Sequence, residues 1–167
     1  MANNPNSSDF TVGILGTGAM GRGIAQIMAT GGMQVLLFDA NEGAAEAGRE
    51  FAERMILRAS EKGTISDEEA QAAVARLKVV SQLPDLAGSD LVIEAVLEDL
   101  DIKRKVFTGL EEVVAEDCVL ATNTSSLSVA AIAAALKHPG RFAGFHFFNP
   151  VPLMKVVEVV NGVETTP

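Results

Sequence analysis

The sequence predicts an α/β protein built on a doubly wound, mainly parallel sheet. Short apolar runs alternate with helical patterns along its 167 residues, the order of strands joined by crossover helices. The first of these runs passes directly into a glycine-rich turn and then a helix. Near the C-terminus two extended runs flank a double-proline segment, which predicts an antiparallel strand pair appended to the parallel sheet.

Residues 1–9 are polar and lack the charged and apolar regions of a signal peptide, so they are expected to form a flexible tail before a domain spanning 10–167. The first strand, Phe10–Leu15, leads into Gly16-Thr17-Gly18-Ala19-Met20-Gly21 and a helical stretch from Arg22 to Thr30. Strand, glycine turn and helix in that order form the Rossmann-type dinucleotide fingerprint. Gly16 permits the tight turn, Gly18 lets the backbone approach a pyrophosphate, and Gly21 lets the helix pack on the strand. Ala19 and Met20 complete the segment at the helix N-terminus, where unpaired N–H groups and the helix dipole favour phosphate. The second strand, Gln34–Phe38, ends in Asp39, 18 residues beyond Gly21. An acid there accepts hydrogen bonds from the ribose hydroxyls of NAD and repels the 2′-phosphate of NADP, so NAD is the expected cofactor.

Residues Asn41–Leu77 read as a helical hairpin inserted after the second strand and packed on the sheet edge. Ala47, Phe51 and Met55 recur at helical spacing on its first helix, and Ala70, Val74 and Leu77 on its second. Lys62-Gly63-Thr64-Ile65 breaks the pattern, and Ser66 with Glu69 forms a capping box for the second helix. A further strand, Asp90–Val96, is followed by Glu98 and Lys103 at the entry to a helix over Ile102–Val114. From the residues alone two readings stand equally: a helix-stabilising acid with a solvated lysine, or a pair that contacts a ligand. The strand Cys118–Ala121, with Cys118 as a packed core thiol, ends in the polar run Thr122–Ser126 before a helix starting near Ser128.

The last pair of strands brings together His146 and Glu158. If Phe142–His146 and Lys155–Val160 fold back around Pro152, residues whose numbers sum to 304 face each other. A carboxylate on one ring nitrogen fixes the tautomer and raises the basicity of the other, which makes His146 a candidate general base oriented by Glu158. The plainer alternative is a histidine at a strand end and a glutamate on a solvated face. His138, before Pro139-Gly140, reads as a surface-loop residue.

Composition narrows the partners. A formal net charge of −9 without a Lys/Arg run argues against a nucleic-acid or anionic-membrane surface. It also means that an anionic ligand needs a local cluster of positive side chains. No apolar run approaches membrane-spanning length. Cys118 is the single cysteine, so no internal disulfide forms, which fits a reducing compartment and a cytoplasmic location.

The combination of Gly16–Ala25 with Asp39, Ile93-Glu94-Ala95-Val96 with Glu98 and Lys103, Ala121–Leu127, and His146–Pro152 through Glu158 resembles the N-terminal, NAD-binding part of the L-3-hydroxyacyl-CoA dehydrogenases. The resemblance covers nearly all of the chain from Val12 to Val160. It implies that Glu98 and Lys103 contact the nicotinamide-side ribose, that Asn123 lies beside the nicotinamide, and that Ser125 touches the substrate's 3-oxygen. It further implies a polar contact from Asn149, and a wall for the acyl-CoA substrate on the hairpin, where Arg49, Arg54, Arg58 and Lys62 lie. The family continues into a helical second domain that carries dimer contacts, part of the substrate pocket and an assisting asparagine. Here the sequence closes on Thr166-Pro167, a helix-start signal, so a truncated fragment of a homodimeric enzyme is expected. Two alternatives stand: another hydroxyacid dehydrogenase on the same fold, with a lysine-centred site, and a chain that binds NAD but is catalytically idle.

Overall fold

The computed structural model describes residues 4–166 and contains one seven-stranded sheet. Its strands are β1 (Thr11–Leu15), β2 (Gln34–Phe38), β3 (Leu77–Val79), β4 (Leu91–Glu94), β5 (Val119–Thr122), β6 (Phe142–Phe147) and β7 (Val157–Asn161). They lie in the order β3-β2-β1-β4-β5-β6-β7, parallel except for β7, which runs antiparallel to β6. The order reverses between β1 and β4, and a crevice opens at the strand C-termini where the chain departs in opposite directions.

The central strands β1 and β4 are buried on both faces, as parallel strands between two helical layers must be. On one face Val12, Ile14, Val35, Leu37 and Ile93 pack with Ile24 and Ala25 of α1 (Ala19–Thr30), Ala52 and Ile56 of α2 (Ala44–Glu61) and Ala70 and Ala73 of α3 (Asp67–Ala75). On the other, Val92, Leu120 and Phe142 pack with Phe107 and Leu110 of α4 (Leu100–Glu111) and Ile132 of α5 (Val129–Ala133). Phe107 and Phe142 meet edge to face with ring centroids 4.7 Å apart. Fully burying one such Leu, Ile or Phe contributes about 1.5–3 kcal/mol, so the double-sided burial dominates the fold's stability.

Three local readings are corrected. Leu77 does not extend the second hairpin helix; α3 stops with Arg76 as its C-cap, and Leu77–Val79 forms an edge strand paired with Val35–Leu37. Leu77 fits a helical spacing because its inward-facing position on β3 continues the apolar face of α3. α1 begins at Ala19 rather than Arg22, with Gly18 as its N-cap, so the glycine turn is already helical at Gly21. Lys103 is not solvated: its side chain is 1% exposed. The capping box on Ser66 and Glu69 forms, and Ser128 caps α5. Residues Asn4–Phe10 pass through hydrogen-bonded turns, with Ser7 N–H donating to the Asn4 carbonyl and Phe10 N–H to that of Ser7. Pro167, the last residue of the helix-start signal, lies outside the described residues.

The terminal pair has the predicted register, with Ala143 opposite Asn161, Phe145 opposite Val159 and His146 opposite Glu158. β7 is exposed along its whole length. Cys118 is buried immediately before β5; burial above all pushes its thiol pKa up to about 12, with Asp90 and Asp117 adding to the rise and Arg141 opposing it. Among the described residues no helix is long and apolar enough to cross a membrane.

Candidate active site

The crevice starts at the glycine turn. Gly16 sits at φ +91, where a side chain is strained, and a Cβ on it would lie 2.7 Å from the Ala95 carbonyl oxygen at the exit of β4. A Cβ on Gly21 would lie 1.8 Å from the Gly16 carbonyl oxygen, so the turn closes on its own helix only if that position is glycine. Gly18 differs from both. A Cβ there would meet nothing within 4 Å, and Gly18 caps α1 without a side-chain hydrogen bond. The space over the first turn of α1 is therefore open and lined by backbone N–H donors, which fits a pyrophosphate.

Asp39, at the end of β2, closes this end of the crevice. Its Oδ2 accepts from the Thr17 N–H (2.8 Å) and the Thr17 hydroxyl (3.0 Å), and its Oδ1 from the Asn41 N–H and side-chain amide (3.0 Å each). Partial burial works to raise its pKa, but these donors outweigh it and hold the carboxyl below its ordinary value. The Thr17 hydroxyl also lies 2.9 Å from the Ala44 carbonyl. It carries one proton for two acceptors, so it can turn to Ala44 and free a site on Asp39.

At the other end a cavity of about 350 Å³ is lined by Met20, Ala95, Val96, Glu98, Lys103, Asn123, Ser125, His146, Phe147 and Asn149. Six of the seven residues expected from the sequence to form the catalytic and nicotinamide end, Glu98, Lys103, Asn123, Ser125, His146 and Asn149, thus converge; the seventh, Glu158, stands behind His146. His146 Nδ1 lies 2.9 Å from Glu158 Oε2, and its ring packs on Phe148 at 4.5 Å between centroids. The carboxylate assigns the Nδ1 proton, leaving Nε2 with its lone pair. Asn123 accepts the Phe147 N–H on its Oδ1 at 3.0 Å, which ties β5 to β6 and leaves the amide N–H groups as its remaining donors.

Beneath the cavity lies a polar cluster only partly anticipated from the sequence. Lys103, one turn into α4, reaches back to Glu94 Oε1 at 2.6 Å and to Glu98 Oε2 at 3.3 Å. Glu94 is fully buried and also accepts the Val96 N–H and the Thr122 hydroxyl, both at 2.7 Å. Glu98 takes hydrogen bonds from the Thr124 hydroxyl, the Ser125 N–H (3.2 Å) and the Ser126 hydroxyl (3.1 Å). Burial tends to raise the Glu98 pKa, but the Thr124 hydroxyl and the Lys103 ammonium bring it below its ordinary value. Thr17, Glu94, Thr122 and Thr124 lie within the motifs read from the sequence, but no individual role was expected of them. The available signal was an acid, Glu94, closing the otherwise apolar run Leu91-Val92-Ile93.

A second, larger hollow of about 700 Å³ runs between α1 and α2 and under Pro150–Leu153. Arg22, Arg58 and Lys62 line it, and Asn149 borders both it and the smaller cavity. Arg22 lies over the Phe51 ring at 3.8 Å. Of the four basic residues expected here, Arg58 and Lys62 reach the lining, whereas Arg49 is paired with Glu53 at 2.9 Å and Arg54 stands 5.8 Å from the Phe51 ring, outside it; Arg22 was not expected. His138 is exposed in its loop.

The profile of the family described as "3-hydroxyacyl-CoA dehydrogenase, NAD binding domain" matches residues 11–167. The chain belongs to this family. It is 43% identical over 155 residues to the 3-hydroxyadipyl-CoA dehydrogenase of Escherichia coli (strain K12), covering 93% of this chain and 33% of that protein. It is 42% identical over 155 residues to the 3-hydroxybutyryl-CoA dehydrogenase of Mycobacterium tuberculosis (strain H37Rv), covering 92% of this chain and 54% of that protein. The crystal structure of 3-hydroxybutyryl-CoA dehydrogenase from E. coli K12 superposes with a TM-score of 0.91 at 42% identity, over 95% of this chain and 34% of that one. The chain thus spans from a third to about half the length of these relatives. As a 3-hydroxyacyl-CoA dehydrogenase NAD-binding domain it has NAD as its cofactor, and the open space over Gly18 is the feature of its fingerprint that fits one.

Proposed function

We propose that the protein interconverts L-3-hydroxyacyl-CoA and 3-ketoacyl-CoA with NAD, with His146 as general base and acid. The observation that carries this reading is His146 backed by Glu158 at 2.9 Å on the wall of a cavity shared with Asn123 and Ser125. Gly16, Gly18, Ala19, Met20 and Gly21 would hold the pyrophosphate, Asp39 the adenine-side ribose, and Glu98 and Lys103 the nicotinamide-side ribose. Asn123 would donate its free amide N–H groups to the nicotinamide. When bound, NAD supplies the acceptor for the hydride that leaves C3 of the substrate.

His146 Nε2 takes the proton of the C3 hydroxyl as the carbonyl forms, and Glu158 stabilises the imidazolium that results. The Ser125 hydroxyl donates to the same oxygen and positions it, and Asn149 orients the acyl chain beside it. In the reverse direction the charged ring returns its proton to the 3-keto oxygen. Arg22, Arg58 and Lys62 would supply the positive lining that an anionic CoA ester needs on a chain of net charge −9. Asn149 joins that lining to the reacting end. Cytoplasmic location and dimerisation of the complete protein, through a segment outside this chain, belong to the same reading.

A second reading is favoured by the apolar exposure of β7 and its approach, where Leu153 is 75% and Val159 62% exposed. The chain would then bind NAD without turnover because that side of the crevice is uncovered. Acetoacetyl-CoA-dependent oxidation of NADH, with His146→Gln as the blank, separates the two. Turnover that falls by about 10²–10⁴ in the variant, with NADH affinity little changed, supports the general base. Turnover that survives the substitution sinks the base assignment; NADH binding without turnover in the unaltered chain favours the second reading.

A further inference from the structure

Glu94 takes no part in the chemistry above, yet it is fully buried beneath the cavity that is to receive the nicotinamide. Every hydrogen-bonding group at its carboxyl is a donor: the Val96 N–H, the Thr122 hydroxyl and the Lys103 ammonium. That is the surrounding of a carboxylate, which only accepts. Glu98, on the other side of the same ammonium, likewise meets only donors, from Thr124, Ser125, Ser126 and Lys103. The cluster therefore sets two formal negative charges against one positive. Lys103 is 1% exposed and Glu94 0%, so water screens this excess weakly on the inner side, while Glu98, at 40%, faces the cavity.

A single counter-charge would have satisfied Lys103, and Glu98 already lies within reach of it. The second carboxylate needs another purpose. The oxidised nicotinamide ring carries one positive charge and the reduced ring none. A net negative cluster against the ring's cavity thus stabilises one redox form over the other. Glu94 also fixes Lys103 by drawing its ammonium to 2.6 Å, so that Glu98 keeps a side free toward the cavity.

We propose that Glu94 is a positioning residue that, through Lys103 and Glu98, leaves the cavity with a net negative charge favouring oxidised over reduced nicotinamide. This rests on the reading that NAD binds with its nicotinamide in that cavity. The test is the ratio of dissociation constants for NAD⁺ and NADH, measured by calorimetric titration of the chain and of Glu94→Gln. The variant keeps the side chain's shape and removes one charge. A unit charge acting over ~8–10 Å at an effective dielectric of ~20–40 changes the ratio by roughly four- to thirty-fold, here by weakening NAD⁺ relative to NADH. A purely structural role moves both affinities together and leaves the ratio in place, which overturns the inference. If Glu94→Gln does not fold by circular dichroism, Glu98→Gln removes charge from the same cluster on its exposed side and must shift the ratio in the same direction. An unaltered chain that binds neither form overturns the cofactor reading and this inference with it.

Discussion

Asp39 joins cofactor choice to stability, so its removal has two separable effects. In Asp39→Ala the two donors of Asn41 turn to water at little cost. The Thr17 hydroxyl keeps the Ala44 carbonyl at 2.9 Å. The Thr17 N–H has no such second partner, and Thr17 is 5% exposed. Stranding one buried donor costs about 1–3 kcal/mol. At about 2–4 °C per kcal/mol for a chain of this size, a central loss of ~2 kcal/mol lowers Tm by about 4–8 °C. The pH dependence has a definite sign. The folded carboxyl lies below its unfolded value, so its contribution is present above the unfolded pKa and is lost as pH falls through the folded one. The variant should therefore lie closest to the parent in strongly acid solution and furthest from it near neutrality. The second effect is on the cofactor: NADH binding weakens and its preference over NADPH narrows by at least about tenfold, because the charge that repels a 2′-phosphate is gone. Thermal melts across pH and paired NADH and NADPH titrations measure both. An unchanged Tm refutes the hydrogen-bond argument, and an unchanged preference removes Asp39 from the ribose site.

The glycines of the fingerprint should separate in the same assays. Gly18→Ala enters open space, so it keeps Tm within about 2 °C while weakening NADH binding tenfold or more, whereas Gly21→Ala drives a Cβ to 1.8 Å from the Gly16 oxygen and costs upwards of ~3 kcal/mol. Equal Tm losses in both would contradict this division. Glu158→Gln should lower turnover by about ten- to a hundredfold and move the acid limb of the pH–rate profile, with NADH affinity kept; an unmoved profile leaves Glu158 structural. The Cys118 thiol, pushed up to about 12, should resist thiol reagents in the folded chain and react on unfolding. Because its folded pKa lies above the thiol's ordinary value of 9.0, the stability it contributes is complete below pH 9 and declines as pH rises toward 12. Rapid labelling of the folded chain near neutral pH would show that the thiol is not sealed.

Legibility followed the range of the interaction that places each residue. The pairing of His146 with Glu158 could be read from the sequence because one local constraint, a turn centred on Pro152, sets every partner in an antiparallel ladder. The fingerprint was legible for a similar reason: Gly16 and Gly21 are forced by backbone atoms a few residues away or at the neighbouring strand end. β3 was not, because three residues carry no period of their own and Leu77 satisfies the helical one beside it. The burial of Lys103 was not legible for a different cause. A lysine on a helix with acids nearby is solvated by default, and only the fold shows that α4 starts where Lys103 must point back under β4.

The burial of Lys103 bears on how the site is built. An ammonium withdrawn from water is tolerable only if it is paired and hydrogen-bonded, and removing one partner of such a pair commonly costs about 3–5 kcal/mol. Glu94 and Lys103 must therefore be retained or replaced together. An apolar pair of matching volume could be as stable, since the attraction barely offsets the desolvation of both charges. Such a pair would leave Glu98 with its hydroxyl and N–H donors but without its counter-charge, and would leave Val96 N–H and the Thr122 hydroxyl without their acceptor. The ion pair itself thus adds little to stability, and what Glu94 contributes to the fold is the acceptor for those two donors, each about 1–3 kcal/mol if stranded. The double variant Glu94→Leu with Lys103→Met decides the point: a fold close to the parent in Tm but impaired in NADH binding assigns the pair to the cofactor. A collapse of Tm with binding kept in the folded fraction would assign it to the sheet.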